Sequence, residues 1–260
     1  MKHTRHLIAA ALVAAACAAS AQNLEPAAAG KRAPRPKDPS LTEVVDVPGL
    51  PRVLLIGDSI SMGYTIPVRE RLKGAYNVHR PAENSGDTAR GLANLDKWLG
   101  QGKWDVIHFN FGLHDLKYLD EKGNYVGPDK GKQVAPPEVY GQRLREFTQK
   151  LKATGAKLIF ATTTPVPAGT TGRVAGDEKV YNQVALGVMK DLGVPVDDLC
   201  AYVVEQQKKV PQRPLSEKPE GKQKLVPRPG EIQLPFNVHF TPEGYGQLAD
   251  QVAASIKAAK

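Results

Sequence analysis

The sequence predicts an α/β fold, a mostly parallel sheet covered on both faces by helices. Three observations carry this. Short apolar runs of strand length alternate along the chain with longer segments of helical spacing. The runs stop abruptly in glycine or polar residues, as at Gly57 and Gly112. The helical segments begin at capping residues or prolines, such as Asp87 and the pair Thr241-Pro242. A length of 260 residues with 41% hydrophobic side chains suits one domain with a sizeable core.

The N-terminus stands apart from this pattern. Lys2 and Arg5 precede an apolar run, 7–16, that is too short to span a bilayer, and Ala19-Ser20-Ala21 offers a cleavage site before Gln22. Residues 1–21 therefore read as a signal peptide and the protein as exported, periplasmic or extracellular. Anchoring as a lipoprotein at Cys17 is the alternative, although the larger aliphatic residue usual three positions before such a cysteine is absent. Cleavage leaves Cys200 alone, which excludes an intrachain disulfide; lying among apolar residues, it reads as a small buried hydrophobe. Removing Lys2 and Arg5 takes the formal charge from +8 to +6, a balance that permits attraction to acidic polymers without requiring it. No other segment approaches membrane-spanning length.

Residues 22–48, rich in Ala, Pro, Lys and Asp and without periodicity, read as a flexible leader to a domain at 49–260. The first strand is expected at 52–56, followed by a helix at 61–72 interrupted near Pro67. A second strand at 76–79 leads into a polar loop, with Asp87 or Thr88 capping a helix that carries Leu92, Leu95 and Leu99. A third strand at 105–111 ends in Gly112-Leu113-His114-Asp115. After a polar insertion at 117–133 come a helix from Pro136 to about 154, a strand at 157–163, a helix at 178–192 and a short strand at 194–196. A helix capped by Asp197 or Asp198 runs to about 208, a Pro- and Lys-rich loop covers 209–235, and a last helix spans about 242–257.

Ligands of open α/β sheets bind outside the carboxyl ends of the strands. Four stretches reach that edge: Ser59, the loop around Gly86, His114, and Asn237-Val238-His239. They bring together a hydroxyl, a backbone amide on a glycine and two imidazoles, which suits acyl transfer. A serine needs an adjacent base, most often histidine, and the tetrahedral oxyanion needs preplaced donors such as the N–H groups of Ser59 and Gly86.

Four blocks in order strengthen this reading. Gly57-Asp58-Ser59-Ile60, Asn84-Ser85-Gly86-Asp87-Thr88, Gly112-Leu113-His114-Asp115 and His239-Phe240-Thr241-Pro242-Glu243-Gly244-Tyr245 resemble the signature blocks of the SGNH (GDSL-type) esterase/lipase superfamily, over roughly 52–257. The resemblance implies a flavodoxin-like three-layer α/β/α sandwich with about five mostly parallel strands, and neither metal nor organic cofactor. It implies Ser59 as nucleophile, His239 as base, and an oxyanion hole from Ser59, Gly86 and the third-block residue. Two departures stand out. His114 replaces the third-block asparagine, and a neutral histidine retains one N–H donor for the role. Phe236 occupies the position, three residues before the histidine, where the family has an orienting aspartate. Asn237 is one residue out of register; Asp197, Asp198, Glu231 and Glu243 are other candidates for that role.

The remaining polar residues read as follows. Asp58, Asp87 and Asp115 brace the loops; His79 and His108 are structural and form no metal site with His114; Arg90 lies on a solvated helix face. Tyr118 and Tyr125 are secondary candidates for the cleft wall. The basic loop at 206–228 reads as solvated, with an acidic polysaccharide as the alternative role. It lacks the interleaved aromatics of a nucleic-acid site. The expected function is an exported serine esterase acting on short acyl esters, above all acetyl, of carbohydrates or other small molecules. A lysophospholipase or thioesterase of the same superfamily, or a non-catalytic carbohydrate-binding protein on this fold, are the alternatives. Oligomeric state is not legible.

Overall fold

A computed structural model of the chain describes residues 38–210, 213–221 and 225–259. The expected signal peptide, Cys17 and most of the leader lie outside the described residues, as do Lys222 and Lys224 of the basic loop.

The sheet is built from β1 (Arg52–Ile56), β2 (Asn77–His79), β3 (Val106–Phe109), β6 (Lys157–Ala161) and β7 (Val196–Asp197). All pair in parallel, in the order β2-β1-β3-β6-β7. Because β1 is interior and covered on both faces, its residues read as one continuous apolar run; Val53, Leu54, Leu55 and Ile56 are all buried. Helix α1 (Ser59–Leu72) packs with α6 (Pro242–Ala258), while α2 (Thr88–Leu99), α3 (Pro137–Lys152) and α4 (Asp177–Leu192) pack in succession. Helix α5 (Leu199–Gln207) follows β7. The expected α/β sandwich with five parallel strands is therefore present. The chain steps outward in opposite directions from β1 and β3, so the strand order reverses between them. That switch point opens a crevice at the carboxyl ends of both strands.

Four expectations about elements are corrected. Helix α1 starts at Ser59, because the Asp58 carboxylate caps it by accepting from the Ile60 N–H at 2.9 Å. It also runs unbroken through Pro67. A proline inside a helix costs about 3 kcal/mol, and burial of Tyr64, Val68 and Leu72, each contributing about 1.5–3 kcal/mol, offsets that. The same helix approaches α6 at a residue without a side chain: a Cβ on Gly63 would sit 2.1 Å from the Tyr245 ring. The 117–133 insertion holds a small antiparallel hairpin, β4 (Tyr118–Leu119) with β5 (Lys132–Gln133). The last strand extends to Asp197, because that carboxylate meets His108 Nε2 at 3.0 Å in the core.

The chain before β1 is tied to the sheet edge. Asp46 pairs with His79 at 2.6 Å and with Arg52 at 2.9 Å. The Asn77 side chain takes the Val47 N–H at 2.9 Å and donates to the Val47 carbonyl at 3.0 Å, in the manner of a strand neighbour.

Candidate active site

Ser59 occupies the first position of α1, where the helical ladder leaves its N–H without a partner. The turn that delivers it from β1 is clasped from two sides. The Gly57 N–H donates to Ser85 Oγ at 3.2 Å, and the Gly57 carbonyl accepts from the Ser85 N–H at 3.2 Å and from Arg80 Nη2 at 3.1 Å. Arg80 is only 8% exposed and also donates to Thr65 Oγ1 at 2.9 Å. Burial pushes its guanidinium down to about 10. Sequence reasoning missed this residue; its signal was a lone arginine where β2 meets the polar loop.

His239 sits in the turn before α6 and reaches back to α1. Its Nε2 lies 2.9 Å from Ser59 Oγ. Its Nδ1 lies 2.7 Å from Asn237 Oδ1, which also accepts the His239 backbone N–H at 3.1 Å. An amide oxygen can only accept, so Nδ1 carries the proton and Nε2 turns a lone pair toward the hydroxyl. The residue behind the histidine is thus Asn237. The carboxylates weighed for that place are engaged elsewhere. Asp197 holds His108, Asp198 caps α5 through the Ala201 N–H at 3.0 Å, Glu231 pairs with Arg213 at 2.9 Å, and Glu243 takes the Gln247 amide at 3.3 Å. Phe236 has φ +55°, the one positive φ outside glycine among the described residues. Such a conformation costs on the order of 1–2 kcal/mol. It immediately precedes Asn237, in the turn that sets the amide against the ring. Burial lowers the pKa of His239; the Asp58 charge opposes the shift and Arg173 adds to it.

His114 follows β3 and lines the same cleft, which encloses about 330 Å³. Lys117 Nζ lies 3.3 Å from His114 Nδ1. An ammonium only donates, so Nδ1 accepts and the ring proton resides on Nε2, which remains available as a donor. Burial lowers this imidazole's pKa as well, with Asp58 opposing and Lys117 reinforcing.

Gly86 stands at φ +67°, and a Cβ there would lie 2.8 Å from Arg90 Cδ. Its N–H already donates to Asn84 Oδ1 at 2.9 Å. An oxyanion drawing on Gly86 would have to share or displace that oxygen, which the sequence did not reveal.

The three aspartates divide by role. Asp87 caps α2 through the Arg90 N–H at 3.0 Å. Asp115 is fully buried and accepts from Thr88 N and Oγ1 at 3.0 and 2.5 Å; burial above all pushes its carboxyl up to about 7. Asp58 caps α1, but its second oxygen is buried without a hydrogen-bond partner and its charge acts on both cleft histidines.

Of the remaining residues, Tyr125 lines the cleft, while the Tyr118 hydroxyl meets Asp177 at 3.5 Å. Arg90 pairs with Glu83 on an exposed face. Three cations of the basic loop are paired, as Arg213–Glu231, Arg228–Glu217 and Lys208–Glu205. Sequence reasoning also missed Lys117, Asn84 and Arg173. Arg173 follows β6 in a Gly- and Thr-rich loop, and its place after a strand at the carboxyl edge was the available signal.

A hydroxyl bonded to an oriented imidazole, beside amide and imidazole donors at the switch point of a parallel sheet, is equipped for acyl transfer to water. The chain belongs to the GDSL-like lipase/acylhydrolase family, whose model matches residues 55–247. This makes ester hydrolysis the class of chemistry the protein is built for. No curated protein matches the sequence. Solved structures do match it in fold. An acetyl xylan esterase has TM-score 0.59 at 16% identity, covering 79% of this chain and 99% of its own. A lipase/acylhydrolase from Enterococcus faecalis has TM-score 0.58 at 19% identity, with coverages of 80% and 96%. A GDSL-like lipase from Bacteroides thetaiotaomicron has TM-score 0.56 at 14% identity, with coverages of 80% and 89%. At these identities the likeness is one of fold. Among the described residues no helix is long and apolar enough to cross a membrane.

Proposed function

We propose that this protein is an exported serine esterase that removes short acyl groups, acetyl foremost, from carbohydrates or other small esters. The observation that carries the proposal is the relay Ser59 Oγ–His239 Nε2 at 2.9 Å, backed by Asn237 at Nδ1. Ser59 Oγ attacks the ester carbonyl while its proton passes to His239 Nε2. The oxyanion is held by the Ser59 N–H at the start of α1, by His114 Nε2–H, and by the Gly86 N–H once Asn84 yields it. The tetrahedral adduct collapses, His239 protonates the departing alkoxide, and the acyl group stays on Ser59. Water, deprotonated by His239, attacks that acyl-enzyme and releases the acid, restoring the serine.

The preference for short acyl groups rests on the modest cleft volume and on the likeness to an acetyl xylan esterase. Export rests on the composition of residues 1–21. Hydrolysis of short nitrophenyl esters by wild type and Ser59→Ala tests the reading. We expect the alanine variant to lose at least about 10³-fold in kcat. A wild type no faster than the variant, across acyl lengths at neutral pH, would leave the alternative of a carbohydrate-binding protein on this fold.

A further inference from the structure

We propose that the cleft contains a subsite for an anionic substituent, built on the Arg173 guanidinium with Lys117 beside it, so that the preferred ester carries a carboxylate near the scissile bond. The inference rests on the esterase reading and narrows its substrate class.

Arg173 lies in the loop between β6 and α4, and its Nε donates to the Leu113 carbonyl at 2.9 Å. That bond ties the guanidinium to the loop that carries His114, in the wall of the cleft shared with Ser59 and His239. Leu113 engages Nε and the Tyr125 side chain also hydrogen-bonds the guanidinium, which leaves further N–H donors of a planar fork whose geometry matches a carboxylate. Lys117 immediately precedes the insertion hairpin and contacts His114 and Tyr125, two residues that line this wall. Its hydrogen-bond partner is a ring nitrogen of His114, which carries no negative charge.

Neither cation is neutralised. Among the described residues no carboxylate lies within ion-pair distance of Arg173 or Lys117, in contrast to Arg213, Arg228 and Arg90, which each meet a glutamate. The two cations instead flank one aromatic ring. Arg173 Cζ is 5.6 Å and Lys117 Nζ 5.4 Å from the centroid of Tyr125. The ring lies tight against Gly172, where an added Cβ would come within 2.5 Å of it. A π face orients cations without cancelling their charge. Tyr125 and then Asp58 act on Arg173, and the Asp58 carboxylate is held at the helix cap by the Ile60 N–H. A half-buried, unneutralised arginine is costly in the free protein, and an acidic group on the substrate would offset that cost. A carboxylate-bearing acylated sugar, of uronic-acid type, has the required chemistry. The same positive field could instead serve the oxyanion of every ester, and the test separates the two.

The experiment compares kcat/KM for meta-acetoxybenzoate and for its uncharged methyl ester, with wild type, Arg173→Gln and Arg173→Lys, at low salt. We expect wild type to favour the anion, and Arg173→Gln to lower the anion-to-neutral ratio by at least about tenfold. Arg173→Lys should retain part of the ratio, and added salt should erode it in wild type. An unchanged ratio in Arg173→Gln, including an equal loss on both esters, overturns the subsite and places Arg173 with the oxyanion instead. Binding is read separately with Ser59→Ala protein, which should bind galacturonate more tightly than galactose, whereas equal binding of the two sugars counts against the subsite. Wild type that hydrolyses neither ester defeats the esterase reading, while a galacturonate preference in Ser59→Ala would still stand for the subsite.

Discussion

Asn237 Oδ1 lies 2.7 Å from His239 Nδ1, so an amide oxygen holds the imidazole in a role where a carboxylate is expected. The amide can select the tautomer as a carboxylate does. It cannot stabilise the imidazolium by charge. Two consequences follow for this position. Asn237→Ala should lower kcat on short esters by about 10²-fold or more, since loss of tautomer control is severe in serine hydrolases. Asn237→Asp should raise the His239 pKa by placing a negative charge beside it, moving the acidic limb of the pH–rate profile upward. A profile that does not move in Asn237→Asp would mean that His239 is not the titrating base.

The pH dependence of the wild type has a defined sign. Burial disfavours the imidazolium of His239 and holds its pKa below the ordinary 6.5. The base therefore stays unprotonated, and competent, into mildly acidic solution. The acidic limb of kcat/KM should fall below 6.5, as measured in buffers of constant ionic strength. A limb above that value contradicts the buried, neutral base.

His114 is assigned its donor by Lys117, and the assignment can be tested by truncation. His114→Ala should reduce kcat by about 10²–10³-fold with less effect on KM, the pattern of a lost oxyanion donor. His114→Asn, which restores an amide N–H at the position, should recover part of the rate. Equal kcat in wild type and His114→Ala would remove the residue from the oxyanion hole.

Asp115 offers a prediction about stability. Its carboxyl rises from 3.8 to about 7 in the fold, chiefly through burial. A raised carboxyl pKa stabilises the fold most below 3.8, and that contribution is lost as pH rises through about 7. Asp115→Asn mimics the protonated form and does not titrate. The variant should therefore gain on wild type by about 1.4 kcal/mol per pH unit across that window, read from urea unfolding at several pH values. A pH-independent difference would show that Asp115 does not titrate with folding.

Arg80 supports the turn ahead of Ser59 without touching a substrate. Arg80→Ala leaves the buried Gly57 carbonyl and Thr65 hydroxyl without this donor, and should destabilise by about 1–3 kcal/mol. Chemical denaturation gives the loss directly, and a variant as stable as wild type would show that water replaces the guanidinium at no cost.

Much of the fold was legible because strand ends and helix starts are local events. The run Val53–Ile56 needed only its continuous apolar character to be placed as an interior parallel strand, and Asp87 and Thr241 announced their helices by capping chemistry. The same locality placed Ser59, Gly86 and His114 at one edge, since in a parallel sheet every strand delivers its following loop to the same side. Tertiary structure decided what those residues face. Whether α1 survives Pro67 depended on the burial of Tyr64, Val68 and Leu72 in the fold, which no window of sequence contains. The partner of His239 depended on the left-handed turn at Phe236, and the fate of Asp197 on a histidine 89 positions away. Lys117 and Arg173 reach the ring of Tyr125 from separate segments of the chain, so their joint charge exists only after folding. The physical reason is one of range. Backbone propensity and capping act over a few residues, whereas hydrogen bonding and charge act through space between segments that the sheet alone brings together.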